Sequence, residues 1–237
     1  MQNEPTIGIV FISGAGLGTT IWDAVKAQIN LPSISVDYTA LKSQSSLNKI
    51  SLQQYVDVAA AQVNTLTTDK IVIVAHSIGG IVGIETAKQL RNKTIGFVGI
   101  SAAIAAPKTS FVSLLPFPKN FITKIILKLA GTKPPEAAIK NGLCNDISAE
   151  QTQQIVAHFS PESLQLYTDQ TTDLPIPSIP SLYLLTKKDN EYPVALQQKM
   201  ATRLKNVHVE KIDTGHLPMI SQPVVVAEKI NTFLKGV

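Results

Sequence analysis

The segment IVIVAHSIGG, residues 71–80, runs from apolar, mostly β-branched residues into a histidine, a serine and a pair of glycines. A serine hydroxyl is a weak nucleophile at neutral pH unless a base takes its proton and an acid orients that base. Ser77 stands where a buried strand gives way to a helix, with Ala75, Gly79 and Gly80 around it. Small neighbours let strand and helix turn sharply, which strains the serine backbone and pushes its hydroxyl out at the C-terminal edge of a sheet. The competing reading is a glycine-rich turn with an incidental serine, and only partners for Ser77 decide between the two.

The chain has four histidines. His76 adjoins the serine and is expected to point away from it into the packing. His158 lies in a proline-rich middle region, and His208 falls inside the last strand, where a half-buried structural role is expected. His216, in DTGHLPM, follows that strand and precedes the final helix, where a ring can swing over the sheet edge to Ser77. The acid is sought after an earlier strand on the same edge. SLYLLTKKDNEYP offers Asp189 as first choice and Glu191 as runner-up, while Asp213 ends the histidine's own strand and reads as structural. The chain order is then Ser, acid, His.

An anionic tetrahedral intermediate also needs donors, and one preorganised N–H lowers its barrier by about 3–4 kcal/mol. FISGAGLGTTIW, residues 11–22, supplies a glycine-rich loop in which the Ala15 amide can face the site, and the Ile78 amide is the second donor. GAGLG also looks like the start of a dinucleotide fingerprint. It lacks the G-x-G-x-x-G spacing, however, and Asp37 is a poor match for the acidic residue such a site needs.

The elements that must position these groups follow from the hydropathy pattern. Ile7 to Ile12, Ile34 to Tyr38, Ile71 to Ala75, Ile95 to Ile100, Leu182 to Leu185 and Val207 to Ile212 read as strands, several of them apolar on both faces, as in a parallel sheet. Segments of helical period lie between them. The fold class expected is α/β, a mostly parallel six-stranded doubly wound sheet. From about residue 105 to 180 the rhythm breaks into prolines and helical stretches. That region reads as a helical cap (105–180) inserted into a core of 1–104 and 181–237, the whole being a single domain.

Composition narrows the function. With 237 residues, 44% of them hydrophobic, there is material for one sizeable core. A net charge of +4 without a dense basic run, and only 5% aromatics, argue against nucleic-acid binding. Cys144 is the single cysteine and has no internal disulfide partner. MQNEPTIGIVFISG carries no charged leader before its apolar stretch, so a cytoplasmic protein is expected.

With AHSIGG, SGAGLGTTIW, KKDNEYP and TGHLPM in this order, the chain resembles the α/β-hydrolase superfamily over essentially its full length. It looks most like the small-esterase branch that includes plant methylesterases and hydroxynitrile lyases. In lyases of that branch a threonine stands at the loop position matched by Gly14, and a lysine follows the catalytic histidine where this chain has Leu217. Both departures favour ester hydrolysis. Ser13 replaces the histidine that usually precedes the loop glycine, and Ala75 replaces the first glycine of the elbow.

The activity implied is hydrolysis of a small or medium hydrophobic carboxylic ester by Ser77, His216 and Asp189, with Ala15 and Ile78 as oxyanion donors and no metal or cofactor. Gly14, Leu217, Phe121 and Ile125 are the expected substrate-binding residues. Phe121, Ile122, Ile125, Ile126 and Leu129 share one helical face of the cap, which is expected to cover the cleft in preference to lying on a membrane. A ligand receptor on the same fold and a lyase-type cleavage are the alternatives to an esterase.

Overall fold

The apolar runs form six strands in a computed structural model that describes residues 5–237: β1 (Ile7–Ile12), β2 (Ser33–Ser35), β3 (Lys70–His76), β4 (Thr94–Ile100), β5 (Ser181–Thr186) and β6 (Val207–Ile212). The start of the stretch expected to lack a charged leader, residues 1–4, lies outside the described residues. The strands lie in the order β2-β1-β3-β4-β5-β6, each neighbouring pair parallel. Side chains alternate between two apolar layers. Val10, Ile12, Ile71, Ile73 and Ala75 face one, and Ile9, Phe11, Val72 and Val74 face the other. Such strands need cover on both sides, and helices supply it. The α/β doubly wound sheet is therefore the fold of this chain.

The helices are α1 (Asp23–Lys26), α2 (Thr39–Gln44), α3 (Leu52–Val63), α4 (Gly79–Gln89), α5 (Lys119–Ala130), α6 (Glu136–Gly142), α7 (Ala149–His158), α8 (Leu164–Thr168), α9 (Val194–Ala201), α10 (Pro218–Ser221) and α11 (Pro223–Leu234). Local chemistry sets their ends. Ser51 opens α3 with a reciprocal capping box to Gln54, and Leu52, Tyr55, Val56, Ala59, Ala60 and Val63 then fall on one buried face. Among the described residues, no helix is long and apolar enough to cross a membrane.

Strand order reverses between β1 and β3, and the loops leaving their C-terminal ends meet at that switch point, where open α/β sheets hold their ligands. The chain between β4 and β5 holds α5 to α8 and no strand. It is tied to the sheet layers by polar contacts. The Leu52 amide donates to Asp169, and the buried Glu85 pairs with Lys88 at 2.6 Å while accepting from the Thr172 amide and hydroxyl.

Two expectations change. β2 covers Ser33–Ser35 instead of Ile34 to Tyr38, because the Asp37 side chain accepts from the Thr39 amide and hydroxyl and turns the chain out of the sheet. β6 is an edge strand whose outer face meets solvent, so the His208 side chain is 75% exposed where a half-buried position was expected.

Candidate active site

Ser77 follows β3 directly and has φ of +52°, the left-handed region that L-residues avoid. The elbow is held from three sides. The Ser77 amide donates to the Ile100 carbonyl, and the Ser77 carbonyl accepts from Gly80 and Ala103. No side chain fits beside it: a Cβ on Gly79 would lie 2.4 Å from the Ser13 carbonyl oxygen, and one on Gly80 2.7 Å from that of Ala103. Ala75 is tolerated in place of a glycine because helical Gly83 faces it, with room for a Cβ only at 3.1 Å.

His216 sits in the loop between β6 and α10, buried, with Nδ1 2.8 Å from Asp189 Oδ2. Its ring lies between two others, His76 at 4.6 Å between centroids and Tyr192 edge-on at 5.3 Å. The Asp189 carboxylate takes five donors: Ser101, Thr186 and His216 at Oδ2, and the amides of Glu191 and Tyr192 at Oδ1. Burial by itself pushes the Asp189 pKa up. Attraction to His216 and hydrogen bonds from His216, Ser101 and the Tyr192 amide outweigh it and hold the carboxyl well below the usual range. An ionised Asp189 places the imidazole proton on Nδ1 and leaves Nε2 as a lone-pair acceptor, and that atom is buried with no partner.

The structure thus brings Ser77, His216 and Asp189 to one edge of the sheet. Glu191 is not the imidazole's partner. It lies against Gly142, so closely that no Cβ fits there, and only its amide joins the Asp189 cluster. Asp213 pairs with Lys187 and Lys188 at 3.1 Å each on the surface. His158 is exposed on α7, its Nδ1 2.9 Å from the Gln154 carbonyl. In the resting site the Ser77 hydroxyl donates to Tyr192 Oη at 3.3 Å. Among the described residues, neither the Ala15 nor the Ile78 amide meets a protein acceptor, and both residues line the cavity that Ser77 and His216 share.

Sequence reasoning passed over several supports. His76 does point away from Ser77, but toward His216: its Nε2–H donates to the His216 carbonyl at 2.9 Å and pins the loop. Burial, then repulsion from His216, lowers its pKa to about 3, so it stays neutral. Ser101, the residue immediately after β4, carries φ of +44°, and its placement one strand from Asp189 was the available signal for it. The loop histidine replaced by Ser13 is compensated locally. Ser13 Oγ accepts from Trp22 Nε1 and donates to the Gly18 carbonyl, both at 3.0 Å. A longer-range anchor is Glu162, which accepts from the Gly16 amide and from Tyr55 while pairing with Lys42 at 2.6 Å.

The cavity over Ser77 measures about 300 Å³ and is mostly apolar, lined by Phe111, Leu115, Leu127, Ile139 and Phe159, with Lys119 and Glu191 among its few charges. A larger depression of about 640 Å³ lies over Gly16–Ile21 and α7. It contains neither Ser77 nor His216, which both line the smaller one. Among the described residues, no group of three His, Cys, Asp or Glu side chains is arranged to hold a metal ion.

None of the four expected substrate-binding residues lines this cavity. Phe121 and Ile125 are 61% and 41% exposed, because α5 turns Thr123 and Leu127 inward and its apolar stripe outward. Leu217 is packed in the core layer beneath the sheet edge. Gly14 borders a void of about 20 Å³ behind the loop, and its role is close approach: a Cβ would lie 2.8 Å from both His76 Nδ1 and Ser77 Cβ.

Residues 9–229 match the model of the alpha/beta hydrolase family, and the chain belongs to that family. No curated protein matches it significantly. Among solved structures it is similar to an extracellular α/β-hydrolase from a Paenibacillus species described as sharing structural and functional homology with tobacco salicylic acid binding protein 2. That match has 16% identity, covers 95% of this chain and 98% of the other, and has a TM-score of 0.81. It is also similar to a methylesterase from Arabidopsis (18% identity, 98% and 100% covered, TM-score 0.77). A pyrethroid hydrolase from Sphingobium faniae matches at 20% identity, with 96% and 97% covered and a TM-score of 0.75. These likenesses show the fold.

Proposed function

We propose that the chain is a serine esterase that cleaves small or medium hydrophobic carboxylic esters through an acyl-enzyme. The observation that carries this reading is the imidazole of His216, oriented by an ionised Asp189 and presenting a buried, unpartnered Nε2 beside the Ser77 elbow. In the proposed reaction an ester enters the apolar cavity, and Ser77 turns from Tyr192 and gives its proton to His216 Nε2. Its oxygen attacks the carbonyl carbon, and the amides of Ala15 and Ile78 receive the developing oxyanion. His216 returns the proton to the leaving alkoxide, then activates water to release the acid. A cavity of about 300 Å³ with an apolar lining suits a hydrophobic acyl or alcohol group. Relatives of the same fold described as a methylesterase and a pyrethroid hydrolase are consistent with ester chemistry.

A second reading rests on the resting contact of Ser77 with Tyr192 in place of His216: a slow-turnover receptor that binds a small molecule over an idle nucleophile. Burst kinetics with p-nitrophenyl esters of increasing acyl length separate the two. Sustained turnover that depends on Ser77 supports the esterase, and a single stoichiometric burst supports the receptor. Lyase-type cleavage lacks equipment here, since Gly14 has no room for a side chain and Leu217 is an uncharged core residue. No cyanide release from mandelonitrile above the uncatalysed rate is expected.

A further inference from the structure

Helix α5 is inverted relative to an ordinary surface helix. Phe121, Ile122, Ile125, Ile126 and Leu129 are exposed, and Phe117 just before them extends the patch, with exposures from 41% at Ile125 to 84% at Phe117. At 100° per residue the five helical positions fill one arc, with Lys124 and Lys128 along one border and Lys119 along the other. A contiguous apolar face of this size on a single helix marks an interaction site.

Charge identifies the partner. From Pro107 to Pro135 the chain carries Lys108, Lys119, Lys124, Lys128 and Lys133 and no Asp or Glu. Lys108 pairs with Asp173, and among the described residues none of the other four meets a carboxylate. A second copy of the chain docked through this segment by two-fold symmetry would set lysine-bearing faces against each other, with no acid from residues 107–135 to separate them. An anionic bilayer meets both features at once: apolar side chains enter the acyl boundary while the lysines reach the headgroups.

We propose that α5 docks the protein on anionic phospholipid membranes, with Phe117, Phe121, Ile122, Ile125, Ile126 and Leu129 inserted and Lys119, Lys124 and Lys128 at the headgroups. The opposite side of the same helix, Thr123 and Leu127, lines the cavity over Ser77, so docking sets the cavity rim beside the bilayer, where apolar compounds concentrate. The docking itself does not depend on Ser77 being a nucleophile.

The test is flotation of the whole chain with vesicles of phosphatidylcholine, alone or mixed with phosphatidylglycerol. Binding is expected to the mixed vesicles only, and it is expected to be lost near 1 M salt, where the screening length falls to about 3 Å. A lysine near an anionic surface contributes roughly fivefold in partitioning, so the Lys124→Glu, Lys128→Glu variant is expected to bind on the order of 30-fold or more weakly. The Ile122→Ser, Ile126→Ser, Leu129→Ser variant is expected to lose binding while keeping its circular dichroism and its turnover of a water-soluble ester. Should it misfold, the lysine variant, altered only at exposed positions, still decides the matter. Absence of binding to the mixed vesicles, equal binding to both vesicle types, or variants that bind like wild type would overturn the proposal. So would a wild-type dimer in sedimentation velocity that the serine variant abolishes.

Discussion

Replacing Asp189 by Asn removes one charge and one acceptor from a carboxylate that has no spare lone pair to give up. Oδ1 faces two fixed backbone amides, of Glu191 and Tyr192, each at 2.8 Å, so the amide oxygen of an asparagine must occupy that side. The new NH2 then stands where Oδ2 meets Ser101, Thr186 and His216 Nδ1. The two hydroxyls can rotate to accept, but the imidazole must change tautomer, taking its proton to Nε2 and losing the lone pair that faces Ser77. The expected loss in kcat is ~10⁴, the scale on which a triad aspartate turned to asparagine acts through the wrong tautomer; at 1.36 kcal/mol per decade that is about 5 kcal/mol. The assay is steady-state hydrolysis of a p-nitrophenyl ester, with circular dichroism to verify folding and ¹⁵N NMR of the imidazole to read the tautomer. Activity within tenfold of wild type in the folded variant, or an unchanged Nδ1–H tautomer, would refute the reasoning. Glu191→Gln is expected to alter KM more than kcat, since that side chain borders the cavity without touching His216.

Ser77→Ala is expected to abolish ester turnover with the fold intact, and a serine-directed phosphonate is expected to label Ser77 alone; peptide mass spectrometry that finds the label elsewhere would move the site. Gly14→Ala forces a Cβ into 2.8 Å contacts with His76 and Ser77, displacing the loop that carries the Ala15 amide, so kcat is expected to fall about 10²-fold, the scale of one misplaced oxyanion donor. Kinetics within threefold of wild type would show that the amide does not act. Acid is expected to destabilise the protein through His76. Its pKa is about 3 in the fold but near 6.5 in an unfolded chain. The unfolded state therefore gains a proton first as pH falls through this window, and stability present above about pH 6.5 is lost. Between pH 8 and 5 the loss is about 2 kcal/mol, from roughly 1.5 pH units at 1.36 kcal/mol each. Asp189, lowered in the fold, adds to it in the same direction only below about pH 4. His76→Gln keeps a donor for the His216 carbonyl and removes the titration. Urea melts are expected to show a pH 8 to 5 decrement about 2 kcal/mol smaller in the variant, and an unchanged decrement would exclude His76 as the cause.

Much of this molecule is legible in the sequence because the signals are local. β1 and β6 occupy the residues that hydropathy alone assigns, and the parallel sheet follows from strands apolar on both faces. The serine at a strand-to-helix turn, the acid after β5 and the histidine after β6 are read off from order, since in a doubly wound sheet the C-terminal ends of successive strands share one edge. What the tertiary structure alone decided is direction and long-range pairing. Helical periodicity shows that Phe121, Ile125 and Leu129 share a face; it carries no information on whether that face meets the cleft or solvent. The answer depends on how Asn120, Thr123 and Leu127 settle against the chain around them, and it turned the expected cavity lining outward. Glu162 reaching the Gly16 amide across 146 residues, and His76 fastening the His216 loop across 140, leave no trace in local spacing. Hydrogen bonds between segments far apart in the chain are set only once the sheet has placed their ends together. The sequence therefore determined which residues could react, and the tertiary structure determined what holds each of them in place.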